Sequence, residues 1–582
     1  MERKTSRAGL ARVCALGAWL ALGGCGSGAD VKPPLDAHDG AVVALQDASG
    51  ERSGDASRPD AADPGDVPVV DAAAPPSGPP PIAEPNCEPA DYTAPPRAWA
   101  NPSMPFATTL PPLHVEGRAV VDSNGVPVAL RGVNFGSWLM GEAWFSGMGP
   151  YVDEEAFMAA ARTKAQALGV GNAFFTAYGA RLADWLGGGR GRWVLFQEMR
   201  AAMYESVPDD HRAGVDAFWR WADQEPWVFE EESLWRHLAG LHGADAAEAL
   251  RGLYTDAFIT ELDVERVAAL GLNLIRIPFW YRALEDEGED GAVRPRAAGW
   301  KALDDVVAWA RRHGLYLILD LHGAPGGQSA HWHQGLRNGG FLWKRASCAD
   351  RTAHLWAQVA AHFRGEAHIA AFGLLNEPDP RGDREAYERV HQRLYDAVRA
   401  GDPDRIVVAE DGYQGPDRIS SPREMGWTNA MFSIHAYPGG ADAAAYEANI
   451  RAEIAAWGPH WSRFDCPLFL GEFSAADPGG GVADVGGERS AFAAEAMARA
   501  TRALSELGVH WASWTWKSYT PASHWGLYNP AVERRFDLRG TDLATLRAQF
   551  ASTNSDTFVP HADYAAALQA SAALPAAALT FP

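Results

Sequence analysis

Two glutamates carry the most chemical information in this 582-residue chain. Glu377 closes the apolar run Phe372-Gly-Leu-Leu-Asn-Glu, and Glu472 closes Leu468-Phe-Leu-Gly-Glu. A carboxyl group at the end of an apolar strand is withdrawn from water, which raises its pKa and suits Glu377 to donate a proton. A carboxylate that attacks must instead stay ionised, and Arg276 and Tyr437 are candidates to hold Glu472 so by charge and hydrogen bonding. Asn376, next to Glu377, is placed to hydrogen-bond a sugar hydroxyl. Two carboxyls in opposite protonation states are what breaking a glycosidic bond requires: one protonates the leaving oxygen while the other attacks the anomeric carbon or activates water.

Residues this far apart in sequence need a scaffold that brings them together. Short apolar runs at Leu130–Asn134, Leu272–Ile277, Tyr316–Asp320, Phe372–Leu375, Ile406–Ala409, Met431–Ile434, Leu468–Gly471 and Trp511–Thr515 alternate with helical stretches. Eight such strands predict an α/β fold, a (β/α)8 TIM barrel. Arg276, His322, Asn376-Glu377, Glu410-Asp411, His435, Glu472 and Trp514 all stand at strand ends, and a barrel gathers its strand C-termini on one face. Ahead of the barrel, Val115 to Asp122 and Val126 to Leu130 flank Asn124-Gly125, a hairpin signal. About residues 141–257 are too long for one βα connection and predict a helical insertion over or beside the site, with helical stretches at Glu154–Leu168, Trp193–Tyr204, Arg212–Asp223 and Leu234–Tyr254. Asp542 to Ala551 fits the last barrel helix, and the Ala-rich end carries no signal of its own.

Composition narrows the partners. The chain is 47% hydrophobic with 51 Lys+Arg against 74 Asp+Glu, a formal charge of −23 that repels phosphates and argues against nucleic acid. Its 23 tryptophans suit stacking on sugar rings, with Trp138, Trp144, Trp280, Trp332, Trp343 and Trp516 divided between that role and the core. Arg3, Lys4, Arg7 and Arg12, the apolar Val13–Leu22 and Leu22-Gly-Gly-Cys25 resemble a bacterial lipoprotein signal, with acylation at Cys25. Residues 26–100 are rich in Asp, Ala, Pro and Gly and predict a disordered tether between membrane and a domain at 101–582. The expected location is the cell envelope, outer membrane or cell surface, or secretion. Of Cys87, Cys348 and Cys466, a Cys348–Cys466 bridge is one possible pairing. His331-x-His333 lacks a third ligand at a metal-binding spacing, so no metal and no cofactor are expected.

From Leu130 to Tyr519 the chain resembles glycoside hydrolase family 5, most closely its exo-β-1,3-glucanase branch. The resemblance rests on Arg131-Gly-Val-Asn-Phe-Gly-Ser-Trp-Leu139, Phe258-Ile-Thr-Glu-Leu-Asp, Leu270-Gly-Leu-Asn-Leu-Ile-Arg-Ile-Pro278, Asp320-Leu-His-Gly-Ala-Pro-Gly-Gly-Gln328, Asp411-Gly-Tyr-Gln414 and Trp514-Thr-Trp-Lys517. It implies a retaining β-glycosidase with Glu377 as acid/base and Glu472 as nucleophile. It further implies support of the nucleophile by Arg276 and Tyr437, sugar binding by His322 and Asn376, His435 near the acid/base, and Trp514 as the sugar platform. Trp138 and Trp516 are taken as further substrate contacts. Ser329-Ala-His-Trp-His-Gln334 and Arg337-Asn-Gly-Gly-Phe341 stand where the branch has an Asn-rich stretch, and His435-Ala-Tyr437 replaces a more His-rich segment. The expected partners are a polysaccharide or oligosaccharide and a membrane lipid at Cys25, with the protein a monomer. Endo-β-1,4-glucanase or mannanase action, transglycosylation and glycan binding without turnover remain alternatives with the same residues.

Overall fold

The computed structural model describes residues 86–88, 90–96, 110–142, 154–173, 175–176, 203, 207–208, 211–224, 231–288, 290–329, 332–336, 340–475, 488–519, 525–530, 536, 538 and 541–582. The signal segment with Cys25, the tether up to residue 85 and most of the expected helix Trp193–Tyr204 lie outside the described residues. Among the described residues no helix is long and apolar enough to cross a membrane.

A hairpin of β1 (Leu113–Glu116) and β2 (Ala119–Asp122) precedes eight parallel strands. These are β3 (Arg131–Asn134), β4 (Leu274–Trp280), β5 (Tyr316–Gly323), β6 (Ile369–Gly373), β7 (Ile406–Glu410), β8 (Ala430–His435), β9 (Leu468–Glu472) and β10 (His510–Ser513). Each pairs with its neighbours in chain order, and β10 pairs with β3 through Trp511 and Arg131 to close a (β/α)8 barrel. Every residue of the eight strands is buried, which is why they read as near-continuous apolar runs. The strand expected at Phe372–Leu375 begins earlier, at Ile369, and Leu374 and Leu375 continue buried beyond its end.

One apolar core fills the barrel, where Leu274, Ile318, Val408, Met431 and Phe469 pack with Leu113 and Val120 of the hairpin. The hairpin closes the N-terminal end: Val115 N–H donates to Asn429 Oδ1 (2.7 Å), and Tyr316 O–H to the Pro111 carbonyl (2.9 Å). Its turn lies at Gly117-Arg118, and the expected turn at Asn124-Gly125 follows on the other side of β2. The Asn-Gly turn is pinned by Val126 N–H to Asp122 Oδ1 (2.9 Å), and the chain after it pairs back on β2: Asp122 N–H donates to the Val126 carbonyl (2.9 Å) and Val128 N–H to the Val120 carbonyl (2.9 Å), with Val121 opposite Pro127.

Between β3 and β4 the insertion contributes α1 (Glu154–Ala167), α2 (Arg212–Gln224), α3 (Glu231–His242) and α4 (Ala244–Phe258). Around the barrel run α5 (Glu261–Ala269), α6 (Ala297–His313), α7 (Ala346–His362), α8 (Arg384–Gly401), α9 (Ala443–Trp457) and α10 (Glu488–Glu506). Asp383 and Asp442 cap α8 and α9 by accepting the backbone N–H of Ala386 and Ala445. Two more helices follow, α11 (Leu543–Ala551) and α12 (Ala562–Ala572). α11 packs on α4, whereas α12 packs on α10, so the Ala-rich end takes the place beside α10 that was expected of Asp542–Ala551. Alanine is the strongest helix former, and Arg131 at the start of β3 grips the α12 terminus by donating to the carbonyls of Ala572 (3.2 Å), Leu574 and Pro575 (2.9 Å).

The tether ends earlier than residue 100. Cys87 forms a disulfide with Cys348, Tyr92 O–H donates to Glu285 Oε1 (3.0 Å), and Ala94 N–H to Gln358 Oε1 (2.9 Å), so residues 86–96 are strapped to the barrel. Among the described residues Cys466 is a buried free thiol, and the Cys348–Cys466 pairing does not occur. Opening a bond that joins residues 261 apart frees a long loop in the unfolded chain, so Cys87→Ser should lower stability by about 2–5 kcal/mol in urea titration, and dithiothreitol should lower the wild-type Tm but not the variant's.

Candidate active site

At the centre of the barrel mouth is Arg276 on β4, 1% exposed. Its Nη1 donates to Glu472 Oε1 (2.6 Å) on β9 and to Asn134 Oδ1 (2.9 Å) on β3. Its Nη2 donates to Asn376 Oδ1 (2.7 Å) and contacts Asp320 Oδ2 (2.9 Å) on β5, with Glu410 Oε2 at 3.9 Å on β7. Burial works against the guanidinium charge, but Asp320, Glu472 and Glu410 overcome it and hold the cation more firmly than in water.

Glu472 accepts from Arg276 at Oε1 and from Tyr437 O–H at Oε2 (2.8 Å), so both its oxygens act as acceptors. Glu377 sits just past β6 with φ 42°, in the left-handed region that costs a non-glycine residue of order 1–3 kcal/mol. Glu410 holds it there by accepting its backbone N–H at 2.7 Å. The Glu377 side chain meets His435 Nδ1 (2.8 Å) and Tyr413 O–H (2.9 Å) at Oε1 and His333 Nε2 (3.0 Å) at Oε2. One oxygen of Glu377, one of Glu472 and a nitrogen of His435 all lie within 4.8 Å of one another. That grouping has the donor types of a cation site, yet Arg276, Tyr437, Tyr413 and His333 already engage its carboxylate oxygens, and nothing else about it marks a metal centre.

Electrostatics reverse one expectation. Burial alone would raise the Glu377 carboxyl, but His333 and His435 pull harder and hold it well below the usual carboxylate range. Burial likewise disfavours charge on His435, yet Glu410, Glu472 and Glu377 surround the ring and keep it protonated well above the ordinary imidazole range. Burial pushes Glu410 up against the pull of His435 and Arg276, and burial together with Glu410 lifts Asp411 to about 7.

His322 faces Asp320 Oδ2 (3.3 Å) and Asn376 Nδ2 (3.4 Å), and its ring lies parallel to Trp514 with centroids 5.7 Å apart. Trp514, itself 2% exposed, packs on His322, and its peptide bond to Thr515 is cis. Trp138 and Trp516 do not join it. The Trp138 indole N–H donates to the Thr255 carbonyl (2.8 Å) at 3% exposure, and that of Trp516 to Asp263 Oδ1 (2.8 Å) at 0%. Both are core residues: β10 ends at Ser513, so strand alternation no longer places Trp514 and Trp516 on one face. Sequence reasoning placed Glu410 at the mouth without giving it a task, and missed Asn134, Tyr413 and the contact of His333 with Glu377. Asn134 and Tyr413 were visible only as members of the motifs Arg131–Leu139 and Asp411–Gln414.

Residues 240–520 match the family model described as Cellulase (glycosyl hydrolase family 5). A beta-xylosidase of Phanerodontia chrysosporium is 35% identical over 204 residues, covering 34% of this chain and 42% of the relative. A probable glucan 1,3-beta-glucosidase A of Emericella nidulans is 29% identical over 272 residues, covering 44% and 65%. The chain therefore spans about half the length of these curated relatives. Among solved structures, an endogalactoceramidase matches at 16% identity and TM-score 0.43 over 79% of this chain and 85% of that one.

Replacing Arg276 with methionine leaves Asp320, Glu410 and Glu472 buried without their shared cation. Arg276→Met should cost about 3–5 kcal/mol in chemical denaturation, more than an exposed ion pair contributes.

Proposed function

We propose, from the premise that residues 240–520 form a glycosyl hydrolase family 5 domain, that the chain is a retaining β-glycoside hydrolase acting on a β-glucan, β-1,3-linked by preference. The carrying observation is the approach of Glu377 and Glu472 oxygens to within 4.8 Å, the close spacing of double displacement rather than the wider one that admits a water between the carboxyls. Glu472, engaged at both oxygens by Arg276 and Tyr437, attacks the anomeric carbon, while Glu377 protonates the leaving oxygen. Glu377 then deprotonates the water that releases the sugar from Glu472. Glu377 lies at the leaving-group side and Trp514 with His322 walls the sugar. The β-1,3 preference is supported by the Emericella nidulans relative, a probable glucan 1,3-beta-glucosidase. The chain is further proposed to be exported and lipid-anchored at Cys25 as a monomer.

Reducing-sugar release from laminarin, mixed-linkage glucan, cellulose, mannan and aryl β-glucosides tests the reading. Glu472→Gln should lower kcat by at least about 10⁴-fold with Tm unchanged within a few degrees, and product anomers seen by NMR should retain the β configuration. Release of α anomers, or full activity in Glu472→Gln, would sink it. For the anchor, Cys25→Ala should move the protein from the membrane to the soluble fraction and abolish palmitate labelling in a bacterial host; unaltered fractionation counts against acylation.

A further inference from the structure

The two oxygens of Glu377 are engaged unequally. Oε1 meets His435 and Tyr413, and His435 Nδ1 lies between it and Glu472 Oε2, at 2.8 and 3.5 Å. That oxygen is therefore turned toward the nucleophile. Oε2, which is left for the leaving group, meets His333 Nε2 at 3.0 Å.

His333 comes from outside the strand ends, on the single turn Trp332–Gln334 of the loop after β5. The turn is braced from within, where Ser329 N–H donates to Gln334 Oε1 (2.9 Å) and Gln334 Nε2 to the Leu336 carbonyl (3.0 Å). It is braced from without by the insertion, as Glu232 N–H at the start of α3 donates to the Gly335 carbonyl (3.1 Å). His435 is fixed differently: its Nε2 faces Glu410 Oε2 at 3.1 Å and its Nδ1 faces Glu377 and Glu472, so three carboxylates surround the imidazolium and oppose loss of either proton. Among the described residues, the charged groups that act on His333 include Glu377 in contact, with Glu142 beyond β3 and Glu472 on β9 farther off.

Resting on the hydrolase reading, we propose that His333 stores the catalytic proton at rest, passing it to Glu377 Oε2 when a leaving-group oxygen arrives and taking it back at the end of turnover. The pair begins and ends the cycle with one proton, which it lacks only while the glycosyl-enzyme stands. At rest it is imidazolium and carboxylate. Transfer from Nε2 to Oε2 gives neutral imidazole and carboxylic acid, and the acid protonates the glycosidic oxygen as its bond to the anomeric carbon breaks and Glu472 bonds to that carbon. Water then attacks the anomeric carbon, the bond to Glu472 breaks, and Glu377 takes the water proton and returns it to His333. The opposite shifts of the two groups agree, since Glu377 is held low and His333 is raised by Glu377 against its own burial.

The test compares leaving groups in wild type, His333→Gln and His333→Ala. For an unactivated disaccharide or alkyl glycoside, which needs the proton, both variants should lose about 10- to 100-fold in kcat/KM, while for a dinitrophenyl glycoside, which does not, the loss should stay within about threefold. The wild-type pair keeps its proton above the ordinary imidazole range, whereas a lone carboxyl gives it up earlier. The alkaline limb of the kcat/KM profile should therefore move to lower pH by more than about one unit in both variants. Added imidazole should restore part of the activity of His333→Ala. Equal losses for all leaving groups with an unmoved alkaline limb would overturn the proposal while leaving an active, Glu472-dependent hydrolase intact. A wild type that cleaves no β-glycoside would overturn the hydrolase reading and this proposal together.

Discussion

The barrel mouth is organised around the burial of one guanidinium among carboxylates. Asp320, Glu410 and Glu472 come from three strands and all face Arg276 on a fourth. Buried carboxylates without a cation are far more costly than exposed ones, and a planar guanidinium is the group that can donate in several fixed directions at once. This constrains the register: Asn134, Glu410 and Glu472 close β3, β7 and β9, whereas Arg276 and Asp320 lie inside β4 and β5, which run on past the cluster to Trp280 and Gly323. The excess of negative charge then falls on imidazoles, and His435 is held protonated by the acids that Arg276 leaves incompletely neutralised.

That charge balance separates the two catalytic glutamates by their partners rather than by their depth. Glu472 and Glu377 both end up at the mouth of the same barrel, but one meets guanidinium and phenol and the other two imidazoles and phenol. A guanidinium never gives up its proton at physiological pH, whereas an imidazole does. A carboxylate beside Arg276 is thus a permanent acceptor, and one beside imidazoles can exchange a proton with them.

Much of this was legible in the chain. Fully buried parallel strands leave long apolar runs, and polar residues closing those runs must lie at the strand ends, so the barrel and the grouping of Arg276, His322, Asn376, Glu377, His435 and Glu472 could be read from pattern alone. Partners supplied by loops left no periodic trace. The contact of His333 with Glu377 depends on a three-residue turn, and the pairing of Cys87 with Cys348 on a strap 261 residues away. Trp138 and Trp516 were misassigned because an indole at a strand end reads the same whether its N–H meets a sugar or, as here, Thr255 and Asp263. The pKa of Glu377 was misjudged because burial is visible in an apolar run while the imidazoles that override it are not.

The loop after β5 shows how remote parts of the chain converge on the chemistry. Gln328 donates to the carbonyls of His322 (2.7 Å) and Asn376 (2.9 Å), tying the ends of β5 and β6 together one residue before Glu377. The Gly326-Gly327 turn ahead of it lies against the Cys87–Cys348 sulfurs, where a Cβ at Gly326 would come within 2.7 Å of Cys348 Sγ and its φ of +77° further excludes a side chain. Beyond Gln328, the same loop presents His333 and is held at Gly335 by α3 of the insertion. The N-terminal strap and the insertion therefore do the same physical work from opposite ends of this loop. Loop backbone has few partners of its own and would sample many conformations, so fixing an imidazole within 3.0 Å of a carboxylate requires constraints from outside it. A barrel strand can position only the residues at its end. Extending control to the leaving-group side of Glu377 takes additional chain, and in this protein that chain is the segment before the hairpin and the helices between β3 and β4.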